Sequence, residues 1–146
     1  MNYNQMSKSI MGQNSVVFRV QSCKDAHLAL SEVFNNVQIR TYEIIIGGNG
    51  NTNSFIRDYE TRTEVQKVET PNIMDCNNSK AFWAKWETSG RITVGQGAAI
   101  GYSTFLDWVD PEKRIFQGIT ISTWDNAPGY WDFSYLQGMI QLLVLH

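Results

Sequence analysis

Apolar and polar residues alternate with a period of two along most of this chain, and no window shows convincing 3.6-residue periodicity. The alternation predicts strands near 15–21, 27–31, 40–46, 54–58, 63–68, 81–86, 91–94, 104–108, 115–123 and 130–136. Turn signals separate them: Asn35-Asn36, the glycine-asparagine run at 47–53, Thr88-Ser89-Gly90, Gly95-Gln96-Gly97, Asp110-Pro111 and Ala127-Pro128-Gly129. About ten short antiparallel strands at these spacings predict an all-β fold, a jelly-roll-like β-sandwich formed by one domain over 1–146. The competing reading is an α+β fold with a helix over 24–34, where DAHLALSEVF can be read as helical.

The same alternation assigns faces. In AFWAKW, Phe82, Ala84 and Trp86 share one face and Trp83 and Lys85 the other. In GYWDFSYL, Trp131, Phe133 and Tyr135 read as core, which leaves Tyr130 and Asp132 facing outward beside a turn. Glu43 stands in a strand otherwise made of isoleucines, so it is either exposed on a sheet face or paired with Arg or Lys. The apolar run 139–145, broken by Gln141, exceeds what a solvated tail tolerates. It predicts an edge strand within 136–146 that completes the sandwich or is shared across a subunit interface.

The segment YEIIIGGNGNTNSFIR, 42–57, carries more polar hardware than a hairpin turn needs. Gly47, Gly48 and Gly50 free the backbone for positive φ, and Asn49, Asn51 and Asn53 supply amides that both donate and accept. Such a loop is either a binding surface or a long turn whose asparagines bond their own backbone.

Composition narrows the classes. With 146 residues, 12% aromatic and 18% charged, the chain is rich in rings and poor in charge, which argues against disorder. A net charge of -2 with scattered Lys and Arg forms no basic stripe for nucleic acid. No apolar run approaches the ~20 residues of a membrane-spanning helix. The N-terminal residues lack the pattern of a secretory signal, so the chain is cytosolic or a mature chain restarted with Met. Cys23 and Cys76 fit no metal spacing; they form one disulfide in an exported protein or remain two buried thiols. The polar connection around Cys76 favours the disulfide. A glycosylation triplet, Asn77-Asn78-Ser79, lies in the same connection.

Seven motifs stand in a familiar order: CKDAHLAL, YEIIIGGNGNTNSFIR, ETPNIMDC, FWAKW, GRITVGQG, FLDWVDP and ISTWDNAPGYWDF. Over about 15–135 the chain resembles the farnesoic acid O-methyltransferase-like domain of animal proteins. The resemblance implies a β-sandwich, and some invertebrate lectins that bind galactose-type sugars, galactose or N-acetyllactosamine, look like relatives. The family name implies a methyltransferase, and the residues speak against it. The glycine loop follows a strand, but SFIRDY after it alternates like another strand, so no helix N-terminus is offered to a cofactor.

The candidate contacts fall into groups. In the loop Trp124-Asp125-Asn126-Ala127-Pro128-Gly129-Tyr130, rings can stack on a pyranose while Asp125 and Asn126 take its hydroxyls. The alternative is that Trp124 caps the sandwich and Asp125 makes an Asx turn. Asn51, Asn53 and Arg57 are the second set, although Arg57 can instead pair with Asp58 or Glu60. Asp25 matches the resembled motif and either caps a turn or touches ligand. Calcium through Asp107, Asp110 or Asp125 stays open, and no cofactor is expected. Asp107 and Asp110 are also the pair a hydrolase would use, on opposite faces if the strand continues. These readings converge on a secreted, non-enzymatic lectin for galactose-containing glycans, with glycoproteins as partners, no membrane insertion and a homo-oligomeric state. The rivals are a protein-interaction module, and after it a methyltransferase or hydrolase.

Overall fold

The computed structural model describes residues 6–10, 12–33, 40–123, 129–133 and 142–145. Two antiparallel sheets face each other. The first runs β1 (Met6–Ser9), β10 (Gly118–Thr123), β3 (Ala26–Ser31), β4 (Thr41–Gly47), β5 (Asn53–Asp58), β6 (Glu64–Glu69) in spatial order. The second runs β12 (Leu142–Leu145), β11 (Gly129–Asp132), β2 (Ser15–Ser22), β7 (Asp75–Trp86), β8 (Arg91–Gln96), β9 (Thr104–Val109). The all-β sandwich expected from the alternation is the observed fold, and DAHLALSEVF is strand through Ser31. All ten expected strands are present. β12 is the edge strand expected within 136–146 and pairs with β11 as Leu143 opposite Trp131, while β1 is an addition at the edge of the other sheet. No helix among the described residues is long and apolar enough to cross a membrane.

The core lies between the sheets and is built from every second residue. Leu28, Leu30, Ile44, Ile46, Ile56 and Ile119 come from the first sheet, and Phe18, Phe82, Val94 and Trp131 from the second, all nearly or fully buried. Phe18 sits 5.7 Å from Trp131 and 5.9 Å from Phe82, ring centre to ring centre, so these three rings pack as one group in the core. As expected, Phe82, Ala84 and Trp86 face this core, while Tyr130 and Asp132 point away from it. Trp83 faces outward from the sheet yet is buried. It lies over Gly95, where a Cβ would stand 2.3 Å from the indole, and its Nε1 donates to the Tyr102 carbonyl at 2.8 Å. Only glycine at position 95 leaves room for that ring.

Strands β3 and β4 depart from simple alternation because both their faces are buried. Glu43 and Ile45 share the face turned away from the core, and Glu43 is 0% exposed. At the opposite margin the sheet edges meet: the backbone N–H of Asp107 in β9 donates to Gln66 Oε1 in β6.

Candidate functional site

One end of the sandwich collects most of the residues that the sequence marks. The turn after β2, the loop between β4 and β5, the connection from β6 to β7 and both ends of the β10–β11 connection all lie there. Their adjacency follows from the pairing: Thr123 opposes Ala26, Tyr130 opposes Gln21, Asn53 opposes Glu69 and Ser22 opposes Asp75. Cys23 and Cys76 are joined by a disulfide with their Cα atoms 4.1 Å apart, so the disulfide reading holds. Gln21 Nε2 donates to the Cys76 carbonyl at 3.0 Å, which ties the β2 edge beside Tyr130 to the cystine.

The glycine-asparagine loop is a left-handed turn. Gly47, Asn49, Gly50 and Asn51 have φ of 70°, 50°, 76° and 66°, a run that glycine and asparagine tolerate best. A Cβ on Gly47 would meet Met74 Cγ at 2.5 Å. Asn51 mimics a strand partner: its Nδ2 donates to the Met74 carbonyl and its Oδ1 accepts the Met74 N–H, both at 3.0 Å. Asn53 is 6% exposed, accepts from Asn49 Nδ2 at 2.9 Å and donates to Thr52 Oγ1 at 3.3 Å. Both amides are therefore spent inside the protein, clamping two connections together, which is the turn alternative rather than a display of amides to ligand. Asp25 holds a positive φ of 54° in the β2–β3 turn, and its N–H donates to the Gly47 carbonyl at 2.9 Å.

Arg57 is not part of this end. Its register partner is Glu43, and its Nε and Nη2 reach Glu43 Oε1 at 3.1 and 3.0 Å. His27 Nδ1 stands 3.4 Å from the other carboxylate oxygen, and Arg62 Nη1 lies 3.7 Å from Oε1. The pairing expected for Glu43 is thus with Arg57, and the suggested pairing of Arg57 with Asp58 or Glu60 gives way to it. The alternation places Arg57 and Glu43 on one face, whereas Asp58 points to the other.

Tyr130 is 40% exposed on the outer face of the second sheet, two residues from the fully buried Trp131's successor Asp132. Trp131 Nε1 is buried without a hydrogen-bond partner among the described residues. A Cβ on Gly129 would stand 2.3 Å from Thr123 Cγ2, so the two ends of the β10–β11 connection are held in contact. Trp124, Asp125 and Asn126 lie outside the described residues.

The two carboxylates of FLDWVDP have separate structural duties. Asp107 is exposed and gripped by Arg91, Nε to Oδ1 at 2.9 Å and Nη2 to Oδ2 at 2.6 Å, which holds its carboxyl below the usual range. Asp110 is 1% exposed and accepts from the Tyr42 hydroxyl, the Glu112 N–H and the Arg114 N–H, each at 2.9 Å. Among the described residues no cluster of three or more acidic, His or Cys groups could hold a metal ion. Arg114 lies over the Tyr42 ring at 4.2 Å and donates to Asp58 Oδ2 at 3.0 Å. Burial, followed by the bond to Asp110, raises the Tyr42 phenol above its ordinary 10.0. A raised acid contributes stability fully below pH 10 and loses it as pH climbs toward the folded value. Urea unfolding between about pH 9 and pH 11 is expected to show stability falling above pH 10, approaching about 1.4 kcal/mol per pH unit from this group. Tyr42→Phe should remove that component of the slope at a cost of about 1 kcal/mol near neutrality.

The far end of the sandwich holds a cavity that sequence reasoning missed. It measures about 530 Å³ and is bordered by Gln13, Trp86, Thr88, Arg114 and Phe116, among others. Trp86 was legible as a core-facing ring, but nothing local in the sequence says that residues 12–14, 85–88 and 114–117 meet around it.

Fold and site define an antiparallel β-sandwich with connections, clamped by a disulfide, gathered at one end. The family model described as farnesoic acid O-methyl transferase matches residues 1–135, and the chain belongs to that family. It is 23% identical over 116 residues to "Uncharacterized protein 5" of the mollusc Haliotis asinina, covering 80% of this chain and 65% of that protein. The chain thus spans less than two thirds of that relative's length. Among solved structures it is similar to the carbohydrate binding module CBM66 of Bacillus subtilis, with a TM-score of 0.60 and 10% identity over 97% of this chain and 78% of the other. At that identity the likeness speaks to the fold.

Proposed function

We propose that this protein is a non-enzymatic lectin that recognises galactose-containing glycans, of galactose or N-acetyllactosamine type, at the disulfide-clamped end. The observation that carries this reading is a sandwich shared with a carbohydrate binding module along almost the whole chain. The exposed Tyr130 ring, on the strand residue opposite Gln21, supports a stacking platform at that end, with Trp124, Asp125 and Asn126 in the adjoining connection as its partners. Asp25 is the remaining candidate contact; Asn51 and Asn53 support the end by holding its loops. A methyl-transfer role would need a helix after the glycine loop, and β5 begins there directly at Asn53. Hydrolysis would need free carboxyls, whereas Asp107 and Asp110 are engaged by Arg91 and Tyr42. The disulfide supports a secreted location. An edge position for β12 supports a homo-oligomer in which weak single sites gain from multivalency.

A glycan array with and without EDTA tests the reading. Galactose-terminated glycans are expected to bind in both conditions. Tyr130→Ala and Trp124→Ala should each weaken binding roughly 5- to 150-fold, about 1–3 kcal/mol. Thermal unfolding of Tyr130→Ala should stay close to wild type. Silence of the wild-type protein across a broad array removes the lectin claim.

A further inference from the structure

The cavity at the far end has the makings of a second site, and the inference rests on the glycan-binding reading above. Its volume of about 530 Å³ falls in the range of small-ligand pockets. Its floor is preformed. Trp86 donates through Nε1 to the Gln13 carbonyl at 3.1 Å and through its backbone N–H to the Asn14 carbonyl at 2.9 Å. These two bonds fix the ring and the turn before β2 as one unit.

The wall chemistry selects a class of ligand. Gln13, Asn14 and Thr88 border it together with Trp86 and Phe116. Amides and hydroxyls both donate and accept, which suits hydroxyl groups, while Trp86 and Phe116, 7% and 5% exposed, add only an apolar margin. Lys85 and Glu87 both border the cavity, so their formal charges cancel. Arg114 is already engaged by Asp58 and Glu112, so the cavity presents no net charge for an ionic ligand. Yet Arg114 Nη1 is buried and has no acceptor among the described residues. This buried donor belongs to a residue that borders the cavity.

We propose that this cavity is a second saccharide site for a neutral, hydroxylated ring, which makes a single chain bivalent with binding sites at opposite ends of the sandwich. The separation is the length of the central strands, about 20 Å for six or seven residues. Two such sites let one chain bridge two glycans without oligomer formation.

The test is a titration of the ¹⁵N-labelled full chain with lactose, followed by two-dimensional NMR. Saturable shifts are expected at the Trp86 indole N–H and the amides of 12–14, alongside separate shifts around Tyr130. Filling the cavity from its exposed rim by Thr88→Trp, or independently by Ile115→Trp, should abolish the first set and spare the second. Trp124→Ala should do the reverse. Lactose shifts around Tyr130 with the Trp86 set unmoved at saturation overturn the second site and leave the lectin reading standing. Shifts confined to the Trp86 set support this site and remove the disulfide-end site. An absence of shifts at both ends, with a silent array, overturns both.

Discussion

Reduction of the Cys23–Cys76 disulfide is expected to lower the unfolding free energy by about 4 kcal/mol. The cross-link spans 53 positions of chain, and a loop of that length removes about 4 kcal/mol of conformational freedom from the unfolded state in the chain-entropy view. Native-state geometry adds a second reason. The cystine joins the turn before β3 to the start of β7, where Ser22 opposes Asp75 after an irregularity in the β2–β7 register. Urea unfolding with and without dithiothreitol, and of the Cys23→Ser/Cys76→Ser double variant, measures the effect. The midpoint should fall in both, and the two losses should agree within about 1 kcal/mol. A midpoint unchanged by complete reduction would show that the bond contributes nothing. On the proposed lectin reading, reduced protein should also bind galactosides more weakly under conditions where it remains folded, because the same bond holds the end that carries Tyr130.

Glu43→Ala ranks second, with an expected loss of about 3 kcal/mol. The carboxylate is fully buried and accepts from both Nε and Nη2 of Arg57, with His27 on its other oxygen. Removing one partner of a buried pair leaves the other's charge without compensation, which commonly costs about 3–5 kcal/mol. Arg57 keeps partial access to water, which places the expectation at the lower bound. The double variant Glu43→Leu/Arg57→Leu separates the two contributions. It should recover much of the loss, because exchanging the whole pair for apolar side chains removes the orphaned charge. Equal stability of Glu43→Ala and wild type in urea would mean that water or a neighbour compensates Arg57 fully.

The clamp formed by Asn51 shows why a polar loop is hard to interpret from sequence. Three asparagines among three glycines look the same whether their amides face a ligand or their own chain. Here the deciding partner is the Met74 backbone, 23 positions away, brought close by β5–β6 pairing and the return into β7. The glycine-asparagine loop is therefore structural, and among the described residues Tyr130 presents an exposed ring at that end. Arg57 repeats the lesson. Its neighbours in sequence are Asp58 and Glu60, but the sheet register gives it Glu43.

Local pattern was enough to determine the strands, the sandwich, and the inward faces of Phe82, Ala84, Trp86, Trp131 and Phe133. Strand periodicity is a property of neighbouring residues, so it is written in the order of the chain. The seven motifs in register likewise carried the family. Which polar groups were consumed and which stayed open was decided only by tertiary structure. Hydrogen bonds and ion pairs join residues that distant strands bring together: Asn51 to Met74, Arg57 to Glu43, Tyr42 to Asp110. The far-end cavity is the same case at larger scale. Three segments separated by tens of residues become its walls when two sheets close over one core, and no short stretch of the chain holds that information.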